Sequence, residues 1–370
     1  MDNFKELAAW LRVRDTQGVG SVAFKKLINS CKSAEEALET LKAQGKILGS
    51  ADKARFEIDK AQARGVKILL LCDNDYPAPL KELRDPPPAL YVLGNIKTLS
   101  YQPMFAIVGS RNSSANSRNF TAAIARELCE NNIMIVSGMA RGIDASAHQG
   151  ALDAYCGSGP TVAVLGTGVD VCYPYENQDL YRRIIAHGAV ISEMPLGSAA
   201  LGGSFPRRNR IIAGLSIGVL VSEATLQSGS LITADLARKQ KKLLFAVPGS
   251  PTDARASGPN KLLREGAIMT ESAADIIAEI KKTGCFELKN NLSADLLAKP
   301  LDNKPKTVDI SNRPCNRIEE FISVSGTGID EIIRISGLSA SEVAQYILEL
   351  ELENRVIRLP GNRVALSGIK

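Results

Sequence analysis

Four turns rich in glycine and serine each follow a short apolar run and lead into a helix-like segment. Glycine lets the backbone approach a ligand closely, and the first turn of a helix offers free N–H groups and a partial positive charge. Several such turns at one edge of a parallel sheet would form an anion-binding surface. None ends in the Gly-Lys-Ser/Thr of a P-loop, so the pattern favours holding phosphate groups over cleaving them. The turns are Gly109-Ser110-Arg111, Ser137-Gly138-Met139-Ala140-Arg141-Gly142, Gly166-Thr167-Gly168 and Ser228-Gly229-Ser230.

The densest basic cluster is the segment Phe205-Pro206-Arg207-Arg208-Asn209-Arg210. Its three arginines have no acidic neighbour between Glu193 and Glu223, whereas a solvated helix face would mix the two signs of charge. Arginine binds phosphate through two parallel N–H donors, and Phe205 could stack on an unpaired base. Alternatively, one arginine pairs with a buried carboxylate such as Glu193 or Glu223, and Arg210 is the expected candidate for that structural role.

Simpler structural roles are open for the other motifs. Gly109-Ser110-Arg111 is also an ordinary strand-to-helix turn with a surface arginine, and Ser228 is also a candidate N-cap. Asp144 and His148 could form a catalytic pair, but an N-cap aspartate and a packed histidine are favoured because nothing nearby completes a nucleophile–base arrangement. The basic run Arg238–Lys242 at a helix end is equally well explained by the helix dipole. The sequence therefore predicts no catalytic residue.

The composition excludes several classes of site and protein. The seven cysteines are scattered without a Cys-x-x-Cys pair and the chain has two histidines, so neither a metal site nor a cofactor is predicted. A net charge of +5 is modest for 370 residues, so any DNA site must be a local cluster. No apolar run approaches the ~20 residues of a membrane span, and the start lacks a secretory pattern. We therefore expect a cytoplasmic protein with reduced thiols and no membrane contact.

Short apolar strands alternate with helical segments through the middle of the chain. Such strands, joined by helical crossovers, indicate a parallel sheet covered on both faces. The predicted fold class is α/β, a Rossmann-like, doubly wound and mostly parallel sheet. The predicted strands are Val66–Cys72, Ala89–Leu93, Phe105–Val108, Ile133–Val136, Val162–Leu165, Val190–Ser192, Gly218–Val221 and Leu243–Val247. The predicted helices between them are Ser113–Glu130, Asp144–Ala154, Asn177–Ala186 and Leu231–Lys239.

Other domains flank this sheet. Residues 1–65 have the periodicity of a helical bundle of the SAM or helix-hairpin-helix type. The sheet domain spans residues 66–288, and the polar, proline-containing segment 289–314 is predicted to be a flexible linker. Helical stretches followed by a hairpin in residues 315–370 predict a winged helix-turn-helix domain.

Taken together, these motifs resemble the DNA-processing protein A family, also called DprA or Smf. The matching strings occur in order between residues 66 and 280, and their joint match is very specific. The strings are Ile107-Val108-Gly109-Ser110-Arg111, Ser137–Asp144 with Ala147-His148, Val164–Gly168 with Tyr173-Pro174, Ile191-Ser192-Glu193, Phe205–Ile212, Ser228–Ala234 and Val247-Pro248-Gly249.

The resemblance implies a single-stranded DNA-binding protein of natural transformation that forms homodimers. Such a protein protects incoming DNA and loads the RecA recombinase onto it. By this resemblance Gly109, Ser110 and Arg111 would hold a phosphate, and the segment Phe205–Arg210 would line the same basic pocket. The predicted phosphate-binding set is completed by Ser137, Gly138, Met139, Arg141, Arg207, Arg208, Asn209, Ser228, Gly229 and Ser230.

The winged domain is expected to contact protein rather than to read DNA. Its would-be recognition helix, Ser339–Glu353, carries four glutamates and no basic residue, and DNA phosphates would repel it. This acidic helix argues against a regulator that binds duplex DNA.

The main alternative is a nucleotide-processing enzyme of the phosphoribohydrolase, lysine-decarboxylase-like type. Such enzymes share a Rossmann-like sheet and a glycine-rich phosphate turn. They typically carry a Pro-Gly-Gly-x-Gly-Thr-x-x-Glu signature, whereas this chain has Gln227-Ser228-Gly229-Ser230-Leu231-Ile232-Thr233 with no glutamate to follow.

Overall fold

The computed structural model of the chain divides into two compact units, Met1–Asp302 and Asn303–Lys370. It describes residues 2–101, 103–154 and 159–283 of the first unit, and residues 322, 327–336, 340, 343, 344, 347, 350, 351 and 356–366 of the second. The predicted linker 289–314 lies outside the described residues. Within the described part, no helix is both long and apolar enough to cross a membrane.

The first unit begins with four short helices, as the sequence predicts. A buried aromatic pair joins the first two, with the ring centroids of Trp10 and Phe24 5.6 Å apart in an edge-to-face arrangement. The third helix starts at a serine cap, where the Ser33 hydroxyl accepts a hydrogen bond from the Glu36 N–H at 3.2 Å. The helices are α1 (Asp2–Arg14), α2 (Ser21–Ser30), α3 (Ala34–Ala43) and α4 (Ala51–Ala63).

A nine-stranded sheet follows, with the strand order β1-β2-β6-β5-β4-β3-β7-β8-β9. The seven strands from β3 onward are mutually parallel, and β1 and β2 add an antiparallel edge. The predicted fold class, a Rossmann-like and mostly parallel sheet, is confirmed. The strands are β1 (Lys67–Leu70), β2 (Ala89–Gly94), β3 (Met104–Val108), β4 (Met134–Ser137), β5 (Thr161–Val164), β6 (Ala189–Ser192), β7 (Gly218–Val221), β8 (Leu243–Ala246) and β9 (Ile268–Met269).

Helices connect these strands. Sequence analysis missed five α-helices and β-strands of the described sheet domain: the helices Ala78–Lys81, Ser257–Arg264 and Ala273–Lys282, and two others. One is the helix that starts in the arginine cluster: its residues Arg208–Leu215 are all buried, so no polar face marks a helical period. The other is β9, which is only two residues long. The helices are α5 (Ala78–Lys81), α6 (Ala115–Glu130), α7 (Ile143–Asp153), α8 (Gln178–His187), α9 (Ser204–Leu215), α10 (Ser230–Lys239), α11 (Ser257–Arg264) and α12 (Ala273–Lys282).

Alternate residues of each strand bury opposite faces of the sheet. On β3, Ala106 and Val108 pack into a core shared with the N-terminal helices, α9 and α10. Phe105 and Ile107 pack on the other face against α6, α7 and α12. Because α1 and α4 contribute to the first core, the N-terminal helices and the sheet form one packed body.

A buried polar network also ties the N-terminal helices to the sheet. The Arg14 guanidinium donates to both carboxylate oxygens of Glu57 at 2.9 Å, and the Tyr91 hydroxyl of β2 donates to the same carboxylate. Burial raises the pKa of Tyr91, so this hydroxyl stays protonated as a donor. The charge of Glu57 is therefore compensated in a nearly dry site.

The second unit contains the predicted C-terminal hairpin. Strands β11 (Val356–Leu359) and β12 (Arg363–Leu366) pair antiparallel, and β10 (Thr327–Gly328) adds to β12. Helix α13 (Ile329–Ser336) supplies Ile332 to the core of this unit. Most of the predicted helix Ser339–Glu353 lies outside the described residues.

Candidate nucleic-acid interface

The predicted phosphate turns meet at the carboxyl edge of the parallel strands. Strand β3 has β4 on one side and β7 on the other, so the strand order reverses at this point. Crevices for ligands in open α/β sheets form outside the carboxyl ends of the strands at such a reversal. The turns 109–112, 138–142 and 166–168 follow β3, β4 and β5 directly.

A pocket of about 220 Å³ opens among these turns. It brings together the turns after β3 and β4 and the start of α9, three of the motifs singled out in the sequence. The turn Ser228–Ser230 does not line it. Sequence analysis did not assign a role in the site to four of its residues, Ala140, Tyr173, Pro174 and Glu176. The lining residues are Arg111, Gly138, Ala140, Arg141, Tyr173, Pro174, Glu176, Phe205 and Arg208.

A stack of aromatic rings and an arginine forms one wall of the pocket. The Arg111 guanidinium lies 5.5 Å from the centroid of the Phe205 ring, within the range of a cation–π contact. The Tyr173 ring lies 5.4 Å from the same ring, at an interplanar angle of 39°. Gly166 makes room for this stack, because a Cβ there would lie 2.9 Å from Phe205. The wall combines exposed aromatic surface with an exposed cation.

Arg208 forms the other wall and is nearly buried, with its side chain 7% exposed. Its Nη1 donates to the main-chain oxygen of Gly138 at 2.6 Å and to that of Val164, and its Nη2 lies 4.0 Å from the Asp144 carboxylate. Burial lowers the pKa of Arg208 to about 10, while Asp144 opposes the decrease. Arg208 therefore stays charged at neutral pH and is held rigidly at the pocket.

The rest of the arginine cluster takes different positions. Arg210 is buried and pairs with Glu193 at 2.6 Å and with Asp85 at 3.1 Å, so its predicted structural pairing with Glu193 is confirmed and it does not line the pocket. Arg207 is exposed, and within the described part of the chain it has neither an ion pair nor a hydrogen bond. Asn209 instead donates to the Gly229 main-chain oxygen at 3.4 Å.

Several predicted phosphate ligands make internal contacts instead. The Ser137 hydroxyl is buried and donates to the Ile107 main-chain oxygen at 2.6 Å, and Met139 is fully buried. The Ser228 and Ser230 hydroxyls are hydrogen-bonded to each other at 2.7 Å. None of these side chains lines the pocket.

Asp144 and His148 are both buried and make contacts within the protein, as in the simpler interpretation of the sequence. His148 is fully buried with its Nδ1 2.9 Å from the Thr161 hydroxyl, and burial lowers its pKa to about 3. The expectation that Asp144 caps α7 is wrong by two residues, because the cap is Gly142 at a φ of +73°. Asp144 lies in the first turn, where it accepts from the Ala140 N–H at 3.4 Å and faces Arg208.

Two of the four basic residues in the second basic run pair with acids. Arg238 pairs with Glu265 at 2.9 Å and Lys239 pairs with Asp235 at 2.7 Å. Lys242 donates to the Gly214 main-chain oxygen at 3.4 Å. Among the described residues, no cluster of histidine, cysteine or acidic side chains could hold a metal ion. At the pocket, Arg141 likewise faces Glu176 at 3.2 Å, whereas Arg111 makes no ion pair with a carboxylate among the described residues.

Family models match three parts of this chain. The family described as DNA recombination-mediator protein A matches residues 67–281. A DprA-like N-terminal HHH domain matches residues 5–62, and a DprA winged helix domain matches residues 304–362. These ranges follow the helical bundle, the sheet and the C-terminal hairpin unit.

Relatives and solved structures agree with these matches. Protein Smf of Synechocystis sp. is 33% identical over 97% of this chain and 98% of its own length. The crystal structure of DprA from Streptococcus pneumoniae is 34% identical, with a TM-score of 0.58, and covers 75% of this chain and 96% of that one. The structure of DNA processing protein A from Helicobacter pylori is 33% identical, with a TM-score of 0.53, over 59% of this chain and 96% of that one. Its description concerns a single-stranded DNA binding mode.

Proposed function

The chain belongs to the DNA recombination-mediator protein A (DprA/Smf) family, and we propose that it binds single-stranded DNA at the pocket between Arg111, Phe205 and Arg208. The observation that carries the proposal is the stack of Arg111 over Phe205 beside the buried Arg208. The protein from Helicobacter pylori, described with a single-stranded DNA binding mode, supports the same ligand class.

The chemistry of the pocket fits one nucleotide unit of an unpaired strand. Its volume of about 220 Å³ is below the ~300–1,000 Å³ of sites that enclose drug-sized ligands, so it takes a fragment of a chain. Aromatic faces stack bases whatever their sequence, and arginines neutralise phosphates. Bases paired within a duplex are not free to stack on Phe205. The exposed Arg207 on the same helix extends the positive surface beyond the pocket.

The test is a titration of labelled oligothymidine by fluorescence anisotropy at several salt concentrations. Arg111→Ala should weaken binding to any sequence and lower the salt slope by roughly 0.7 for each phosphate group that is no longer neutralised. Arg126→Ala is the matched control, because it removes an exposed arginine of α6 whose guanidinium lies 3.9 Å from Glu130. Equal affinities and slopes for the two variants would contradict the phosphate role of Arg111.

Membership of the family supports a proposal for the biological role. The protein acts in the cytoplasm during natural transformation, protects incoming single strands and loads the RecA recombinase onto them. The measurement is RecA-driven strand exchange on DNA coated with a single-strand-binding protein. Addition of the wild type should shorten the lag, and Arg111→Ala should not. If the wild type left the lag unchanged, the proposal of RecA loading would be contradicted and the proposal of DNA binding would stand.

The protein acts as a homodimer, and the free edge of the sheet supports this. Among the strands that the structure describes, β9 pairs with β8 on one side only, and its Met269 is 54% exposed. Edge strands with exposed apolar side chains are sites of association between chains. Light scattering should give the mass of a dimer for the wild type and a smaller mass for Met269→Glu. A monomeric wild type would contradict the proposed homodimer.

We infer no catalysis. A nucleotide-processing enzyme of the phosphoribohydrolase type is the competing function, and it predicts release of free base from a nucleoside monophosphate. Chromatography of such an incubation should show no product. A product that disappears on substitution of Ser228 or Ser230 would favour the enzyme.

A further inference from the structure

Glu223 lies where the strand order of the sheet reverses. It follows β7 by two residues, and its main-chain oxygen accepts a hydrogen bond from the Ser110 N–H at 2.6 Å. It therefore sits against the turn that joins β3 to α6. In Rossmann-type proteins that bind nucleotides, the first strand-to-helix turn at this position holds the phosphates.

The Glu223 carboxylate fills the N-terminus of α6. One oxygen accepts from the Ser114 N–H at 2.8 Å, and the other accepts from the hydroxyls of Ser114 and Ser117 at 2.7 and 2.8 Å. Glu223 is only 8% exposed, so its carboxylate is held within the protein. A negative group that accepts from a main-chain N–H and two hydroxyls at a helix start reproduces the contacts of a bound phosphate.

The glycine of the same turn is also closed to a ligand. In nucleotide-binding turns, a glycine leaves space for the phosphates to approach the backbone. Here a Cβ on Gly109 would lie 2.6 Å from Cγ1 of Ile143 and 2.9 Å from the Glu223 main-chain oxygen. The protein itself therefore fills the space beside Gly109, and the Glu223 carboxylate takes no part in this contact.

We propose that Glu223 is a specificity-determining residue that occupies the nucleotide-phosphate position of this fold and excludes free nucleoside phosphates. An intracellular mononucleotide would otherwise compete for the edge of the sheet that faces the DNA pocket. The closure of one turn leaves the neighbouring pocket at Arg111 and Phe205 as the open anion site. This inference concerns the ligands that the fold rejects and does not depend on the identity of the ligand at the pocket.

The experiment is an anion rescue of thermal stability. Glu223→Ala should lower the unfolding temperature by about 4 °C, because it leaves the Ser114 N–H and the hydroxyls of Ser114 and Ser117 without their shared acceptor. Sodium pyrophosphate should restore most of this decrease, compared with sodium chloride at equal ionic strength. Ser117→Ala is the matched control: it removes one donor but leaves the carboxylate in place, so pyrophosphate should give it no more stabilisation than it gives the wild type.

Calorimetry of pyrophosphate and adenosine monophosphate binding provides a second measurement. Glu223→Ser, which keeps a small hydroxyl in the site, should bind pyrophosphate about tenfold or more tightly than the wild type does. This variant also decides the matter if Glu223→Ala does not fold. An equal response of Glu223→Ala and Ser117→Ala, or no gain of affinity in Glu223→Ser, would overturn the proposal. The affinity of Glu223→Ser for single-stranded DNA should stay within about threefold of the wild-type affinity. The DNA-binding proposal and the proposal for Glu223 can therefore fail independently of each other.

Discussion

Two basic regions of this protein look alike in the sequence and differ in the structure. The start of α9 and the end of α10 each carry several basic residues within five positions. On α10, Arg238 and Lys239 face carboxylates at 2.9 and 2.7 Å. At the pocket, Arg208 is held mainly by main-chain oxygens, and Arg111 lies over an aromatic ring. Two clusters of similar basic density therefore differ in the partners of their cations: at the pocket Arg141 faces Glu176 at 3.2 Å, whereas Arg111 makes no ion pair with a carboxylate among the described residues.

The largest effect is expected from Arg208→Ala. This substitution leaves the Gly138 and Val164 oxygens without their donor and Asp144 without its partner cation, so we expect a decrease of about 3–5 kcal/mol in the free energy of unfolding. Urea denaturation measures it. Arg238→Ala is the control from the other region and should cost at most about 1 kcal/mol, as exposed pairs do. Similar decreases in the free energy of unfolding for both variants would contradict the difference between the pocket and the end of α10.

Phe205→Ala is expected to have the next largest effect. Removal of a stacking platform costs about 1–3 kcal/mol per base, so single-strand affinity should fall roughly tenfold or more. The salt dependence should hardly change, because no cation is removed. Phe205→Tyr is the control that keeps the stacking face. A steeply altered salt slope in Phe205→Ala would show that the ring acts only by positioning Arg111.

Removal of the second unit should have a smaller effect. A chain ending at Pro314 keeps the pocket and loses six basic and eight acidic residues. Single-strand binding should fall no more than a few-fold, consistent with a weak contribution through avidity. A decrease of a hundredfold or more, in a truncated protein still folded by circular dichroism, would assign DNA contact to the C-terminal hairpin, which carries Arg358 and Arg363.

The smallest effect is expected from the double variant Arg238→Ala with Lys239→Ala. Both side chains already face carboxylates, so anisotropy should show less than about a twofold change in single-strand affinity. The single variant Arg207→Ala also removes an exposed cation, but one without an ion pair among the described residues, and it should weaken binding more. The reverse order would mean that the DNA path runs along α10.

The sequence predicts the features that depend on neighbours along the chain. The strands and their crossover helices follow from local apolar periods, and the pairing of Arg210 follows from the few carboxylates at the strand ends. Contacts between distant segments are not predicted. The helical period of α9 is hidden because both its faces are buried. Tyr173 reaches Phe205 across 32 residues, and Glu223 reaches Ser114 across 109, so no local pattern marks either contact.

The bonds of Arg208 have a mechanical consequence. Its guanidinium holds the oxygen of Gly138, just after β4, and that of Val164, the last residue of β5. Tension on a DNA strand bound at this side chain would be transmitted directly to β4 and β5 and not to a surface loop. Each of these two β-strands is flanked by parallel neighbours. The contact between the protein and the DNA would therefore break at a lower force than the sheet. A single-molecule pulling experiment should record release of the DNA from a protein that remains folded and able to bind again.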